Sequence, residues 1–328
     1  MKRILAALVL ALSLAACGET TKESVDTVPN GQTSQAVGAS EGVQFPLTVT
    51  HPMGETTIES APQRVVVLDM GALDTMAALD IDPNVVVGLP AASVPDDLSQ
   101  FSGAADVGTI KEPNLEAIAK LNPDLIIIGG RTAALYEDFS KAYPTIGYES
   151  ALSDEPALDA VRASAEPIAK VFGKSAALDS KMKDLEAKVD RIKAKTSDAG
   201  KAMFVLTNAG DVSMYGTGSR FGFVFTDLGF GEALASSDPT ADHGEQITFE
   251  TIAKANPDVL FVMDRDAAIG TGSDSANAKV TLDNELVNGT NAVKNGKVIY
   301  VDPVAWYIVG AGLNNFGEQL DEVEAALK

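Results

Sequence analysis

Cysteine is almost absent. Cys17 stands alone in 328 residues, so no intrachain disulfide can form. Histidine is nearly as scarce, with only His51 and His243, and a zinc site built from His and Cys lacks its ligands. Basic residues are also few: 25 Lys and Arg against 46 Asp and Glu leave a formal charge of −21. A nucleic-acid binder needs a basic footprint that this composition does not supply. An anionic small ligand stays compatible, because a few arginines converging in a cleft reverse the local potential. The 28 glycines and 15 prolines are too few and scattered for a fibrous or wholly disordered chain. No G-x-S-x-G elbow occurs, and Gly216-Thr-Gly-Ser-Arg-Phe-Gly222 departs from the dinucleotide fingerprint, with no Gly-Lys-Ser or Gly-Lys-Thr after it. The signals for an α/β hydrolase, an oxidoreductase or a phosphate loop are thus missing.

What is present begins with an export pattern. Met1-Lys2-Arg3 precedes an apolar run from Ile4 to Leu12, too short and wrongly flanked for a membrane span. Leu14-Ala15-Ala16-Cys17 resembles a bacterial lipobox, which implies a signal peptide over 1–16 and lipid on Cys17. A plain signal peptide followed by an ordinary buried cysteine is the alternative. The stretch to residue 44 is rich in Thr, Ser, Gln, Glu and Gly, with no sustained apolar period, and reads as a flexible tether over 17–44. A lipid-anchored, extracytoplasmic body is expected.

The body reads as two halves with one grammar. Arg64-Val-Val-Val-Leu68 predicts a buried parallel strand, Gly71–Leu79 a helix, and Asn84–Leu89 and Leu125–Ile128 further strands. Lys201–Leu206 and Val259–Val262 repeat the strand pattern. Ile118-Ala-Lys-Leu-Asn-Pro-Asp124 is echoed by Ile252-Ala-Lys-Ala-Asn-Pro-Asp258, and the same offset aligns Glu116 with Glu250 and Thr109 with His243. Alternating strands and helices point to α/β lobes with parallel sheets, over 45–152 and 197–328. Between them, 153–196 is helical in tone, with Met182, Leu185, Val189 and Ile192 on one face of Ala176–Lys195 and Pro167 a kink or second start upstream. Asn314–Lys328 predicts a last helix with Phe316, Leu320, Val323 and Leu327 inward.

With these stretches in order, the chain resembles the iron-siderophore substrate-binding lipoproteins of bacterial ABC importers, of the catecholate and petrobactin type. The resemblance is carried by Pro62–Asp69, Val107–Glu116, Asn122–Arg131, Gly218–Gly222, His243-Gly-Glu245, Val262–Arg265 and Leu282 through Trp306-Tyr307, and covers about residues 45–328. It implies two Rossmann-like α/β lobes joined by a long helix, the class III periplasmic-binding-protein fold, with ligand in the cleft. It implies no intrinsic cofactor, a ferric siderophore as ligand, an ABC permease as partner, no enzymatic activity and a monomer.

The resemblance also assigns residues. Ferric iron prefers oxygen donors and tolerates imidazole, and a tetradentate siderophore leaves two positions open. His243 and Tyr307 would fill them; an exposed histidine without a role and a core tyrosine are the ordinary readings, and Trp306 suits the core. Arg131, Arg220 and Arg265 lie past strands or in a Gly-rich loop, where α/β proteins bind ligands, and would pair with catecholate oxygens. The alternative is routine surface arginines paired with Asp264 or Asp266. Glu116 and Glu250 either sit as favourable first-turn acids or dock the two permease subunits. A citrate-based or hexadentate ferric siderophore without protein ligation, and a structural or adhesive surface lipoprotein, stay open at this point.

Overall fold

The computed structural model describes residues 42–152, 156–238, 244–270 and 277–327; Cys17, His243 and nearly all of the expected leader and tether lie outside them. The first element is an antiparallel hairpin of β1 (Leu47–His51) and β2 (Gly54–Ile58). His51 is buried rather than beside a loose tether. Its Nδ1 accepts from Gly147 N at 3.1 Å and Met53 N at 3.2 Å, which leaves Nε2 to donate to Thr56 Oγ1 at 3.1 Å. This neutral imidazole pins the hairpin to the N-terminal lobe, and burial lowers its pKa.

That lobe holds β3 (Val65–Val67), β4 (Val86–Leu89), β5 (Ala105–Asp106), β6 (Leu125–Ile128) and β7 (Thr145–Gly147), all parallel, in the order β5-β4-β3-β6-β7. The valine run is apolar at successive positions because both faces are covered. Val65 and Val67 pack in one cluster with Leu73 and Met76 of α1 (Met70–Ala78). Val66 and Leu68 pack in another, with Ile118 of α2 (Leu115–Leu121) and Phe139 of α3 (Tyr136–Ala142). Each such fully buried side chain is worth about 1.5–3 kcal/mol of transfer free energy.

The connecting stretch forms α4 (Ala157–Val171), which runs through Pro167 without a break, and α5 (Ser175–Thr196). The 22 residues of α5 reach roughly 33 Å, and Leu178, Met182, Leu185, Val189 and Ile192 are its buried stripe. Among the described residues no helix is long and apolar enough to cross a membrane.

In the second lobe β8 (Lys201–Asn208), β9 (Asp211–Tyr215), β10 (Gly231–Glu232), β11 (Glu245–Ile247), β12 (Val259–Asp264) and β13 (Val298–Tyr300) form one sheet. Its path is β11-β9-β8-β12-β13, with β10 beside the start of β8. β8, β12 and β13 are parallel, as expected, whereas β9 runs antiparallel to β8, so this sheet is mixed at that edge. The cause is local: Ala209 and Gly210 both have positive φ, at 50° and 89°, and close a two-residue hairpin whose twist matches the strands. Around the sheet lie α6 (Phe223–Thr226), α7 (Phe249–Ala255), α8 (Arg265–Ala268), α9 (Ala278–Leu282), α10 (Glu285–Asn288) and α11 (Asn291–Lys294).

The final helix, α12 (Leu313–Ala326), buries Phe316, Leu320 and Val323 and is held at its first turn by the N-terminal lobe. Asp74 Oδ2 of α1 accepts from Asn314 N at 2.8 Å and Asn315 N at 3.1 Å. Beside it, Leu313 N donates to Thr75 Oγ1, Thr75 to Tyr148 Oη, and Tyr148 Oη to Ala311 O at 2.9 Å. Every member of that chain is buried and satisfied, which fixes how the segment carrying residues 305–312 meets the first lobe.

Candidate functional site

The internal echo has a structural counterpart. Asn122 and Asn256 end α2 and α7 in the same left-handed conformation, with φ of 46° in both. Asp124 then accepts from Gln63 N and Arg64 N, and Asp258 from Lys201 N, so each Asn-Pro-Asp ties a helix to the strand entering its sheet. Asn114 and Thr248 cap the opposite ends, and Glu116 and Glu250 follow as the exposed second residues of the two helices. Hydrogen bonding to Thr248 lowers the Glu250 pKa.

The three arginines converge from three elements. Arg131 leaves the turn after β6, Arg265 opens α8 at the end of β12, and Arg220 projects from the 216–222 loop. That loop needs Gly222, where a Cβ would stand 2.1 Å from Thr217 O. All three meet at Tyr307, on a π-helical turn spanning Ala305–Val309. Arg131 and Arg220 both donate to the Tyr307 carbonyl oxygen, and Arg265 Nε donates to its phenol oxygen at 3.0 Å. The guanidinium carbons of Arg131, Arg220 and Arg265 lie 5.7, 5.1 and 5.7 Å from the Tyr307 ring centre.

Carboxylates reach these arginines only at longer range, Asp69 acting on Arg131 and Glu149 on Arg220. Among the described residues none of the three forms an ion pair. The aspartates beside Arg265 are engaged elsewhere: Asp264 accepts from Ala267 N and Ala278 N, and Asp266 from Ala209 N. Burial, with the charge of Arg131 added, lowers the Arg220 pKa. Asp69 is wholly buried behind Gly129 and caps α1; burial raises its pKa, against the hydrogen bonds it accepts and the charge of Arg131.

Two cavities meet at this cluster. One, of about 900 Å³, runs between the lobes past Arg131, Arg265 and Tyr307 to a rim bearing Asp97, Asp302 and Glu318. The other, of about 380 Å³, lies against β8 and β9 and is lined by Arg220, Arg265, Tyr307 and Tyr215. Lys111 borders both from the N-terminal lobe. Trp306 is core: its ring packs among Phe204, Phe221 and Phe223, and its Nε1 donates to Glu322 at 3.1 Å. Tyr307, one residue on, is half-buried in the cleft. His243 lies outside the described residues, while the next residue, Gly244, is packed against the Tyr215 ring.

Sequence reasoning missed Lys111, Ser213 and Tyr215. Lys111 stood within a quoted stretch without a role, and a strand tyrosine carries no local signal that separates a cleft residue from a core one.

An interlobe cleft lined by unpaired cations, on two α/β lobes joined by long helices, defines a substrate-binding protein of the class III periplasmic type. Residues 65–305 match the periplasmic binding protein family, and the chain belongs to it. It is a binding protein. It is 35% identical over 330 residues to the petrobactin-binding protein YclQ of Bacillus subtilis, covering 98% of this chain and 97% of that one. The ferric-anguibactin-binding protein FatB of Vibrio anguillarum is 34% identical, covering 86% of this chain and 87% of FatB. The solved periplasmic catecholate-siderophore binding protein VctP of Vibrio cholerae is 33% identical, with a TM-score of 0.78 over 85% of this chain and 99% of VctP.

Proposed function

We propose that this protein captures a ferric siderophore outside the cytoplasmic membrane, held there by lipid on Cys17, and delivers it to an ABC permease. The ligand is a tetradentate catecholate, with His243 and Tyr307 completing the coordination of iron. The observation that carries the reading is the meeting of Arg131, Arg220 and Arg265 at Tyr307 with no ion pair to a carboxylate among the described residues. Such a site is electrostatically incomplete until an anion arrives, and each guanidinium then gains charge-assisted hydrogen bonds to catecholate oxygens. Arg265 has a second effect: its Nε donates to the Tyr307 oxygen and holds the phenol in place in the cleft. Similarity to petrobactin, anguibactin and catecholate binders supports the same ligand class.

Glu116 and Glu250, exposed at matching places on the two lobes, are the permease-docking pair; their pseudo-symmetry suits a two-fold partner. The binding reading is tested by quenching of Trp306 fluorescence in a form lacking residues 1–17. Tight quenching by a ferric bis-catecholate, weakened in both Tyr307→Phe and His243→Ala, is expected. Tight binding unchanged by both substitutions would refute direct ligation, and no quenching by any ferric siderophore would refute the function.

A further inference from the structure

Part of the lining of the smaller cavity is not used by iron ligation. β9 alternates: Val212 and Met214 enter the apolar cluster on one face of the sheet, and Ser213 and Tyr215 line the cavity on the other. Tyr215 is 5% exposed, with its ring edge-on to Phe204 and Phe221, at 6.4 and 5.0 Å between centres. Among the described residues its hydroxyl has no hydrogen-bond partner, and it is open to the cavity that the ring lines. The hydroxyl of Ser213 has none there either. Asn208 gives its carbonyl oxygen to Arg265 Nη1 at 2.7 Å, which leaves its amide group as donor. With Arg220, Arg265 and Lys111 the wall is rich in donors, and among the described residues no carboxylate lines it. Burial pushes the Tyr215 pKa up to about 12, so the phenol keeps its proton and donates.

A wall of donors, three of them cationic, matches a group with many free lone pairs and a full charge. An iron-bound catecholate oxygen has given part of both to the metal. An unliganded carboxylate has about four acceptor sites. We propose that this chamber is a carboxylate subsite: it takes a carboxylate on the organic body of the ligand that is not bound to iron, and Tyr215 and Ser213 read it. This rests on the ferric-siderophore reading and adds a selectivity that arginine convergence alone does not give, since Arg220 and Arg265 attract any anion.

The test uses two probes that differ in one group, the ferric 1:2 complexes of catechol and of 3,4-dihydroxybenzoate, whose carboxylate points away from its own catecholate pair. Wild-type protein should bind the benzoate complex about tenfold or more tighter, the scale of a hydrogen bond to a charged group. Tyr215→Phe should bring that ratio toward one by weakening the benzoate complex more than the catechol complex; Ser213→Ala should shift it in the same direction. Thermal melting of each apo variant checks folding, and removing an unpartnered hydroxyl should leave it unmoved. A wild-type ratio near one, a ratio untouched by both substitutions, or an equal loss for both probes would overturn the subsite. If neither complex binds wild-type protein, the siderophore reading itself falls, and the subsite with it.

Discussion

Replacing Arg220 by glutamine should separate stability from binding. Arg131 and Arg220 donate to one carbonyl oxygen, so their nearest nitrogens lie within about 6 Å, a separation at which two like charges repel by roughly 2–3 kcal/mol at an effective dielectric near 20. Against that relief stand one hydrogen bond, worth about 1 kcal/mol, and the stacking of the guanidinium over Phe221 and Tyr307, worth roughly 0.5–1 kcal/mol each. The contributions nearly cancel. Apo stability of Arg220→Gln should therefore stay within about 1 kcal/mol of wild type, a melting shift of about 2–4 °C in either direction. Affinity for an anionic ferric complex should fall about 10- to 100-fold, because one of the charge-assisted donors of the cluster is lost. Scanning calorimetry of the apo protein and fluorescence titration of the same sample measure the two quantities. A large drop in apo melting temperature with affinity intact would refute the reasoning and make Arg220 a structural arginine.

His51→Gln should lower stability, since Nδ1 accepts two backbone N–H groups that no other side chain reaches. Because burial depresses the native pKa of His51, the unfolded chain binds a proton first as pH falls below about 6.5. The wild-type protein should therefore lose stability from that pH downward, and His51→Gln should remove this part of the slope in denaturant titrations at stepped pH. Asp74 has the opposite sign: burial, with Glu318 and Asp97 nearby, raises its pKa to about 7. Its stabilising contribution is complete below pH 3.8 and is lost as pH rises through about 7. Asp74→Asn should thus be relatively more stable at pH 8 than at pH 5 by melting temperature. Glu116→Ala and Glu250→Ala should leave ligand affinity unchanged and cut iron uptake in cells, more in the double variant; undiminished uptake would count against docking through these residues.

The sequence by itself determined what is local or periodic. The valine run of β3, the stripe of α5 and the inward face of α12 were legible because burial on both faces, or along one stripe, writes itself into successive residues. The echoed Asn-Pro-Asp was legible too, since each copy ends a helix in a left-handed residue and caps a strand with the following carboxylate. The mixed second sheet was not: Ala209-Gly210 is a weak turn signal, and only the positive φ of both residues makes it a hairpin. Nor could the sequence separate Trp306 from Tyr307, adjacent aromatics in one apolar run; the π-helical turn sends one into the core and the other into the cleft. The arginines were visible as candidates, but their lack of carboxylate partners was not, because Asp264 and Asp266 are their neighbours in sequence and bond to backbone N–H groups in space. Tyr215 lay wholly beyond reach. That its hydroxyl faces the cavity follows from residues 204, 208, 220 and 265, which only the tertiary fold brings together.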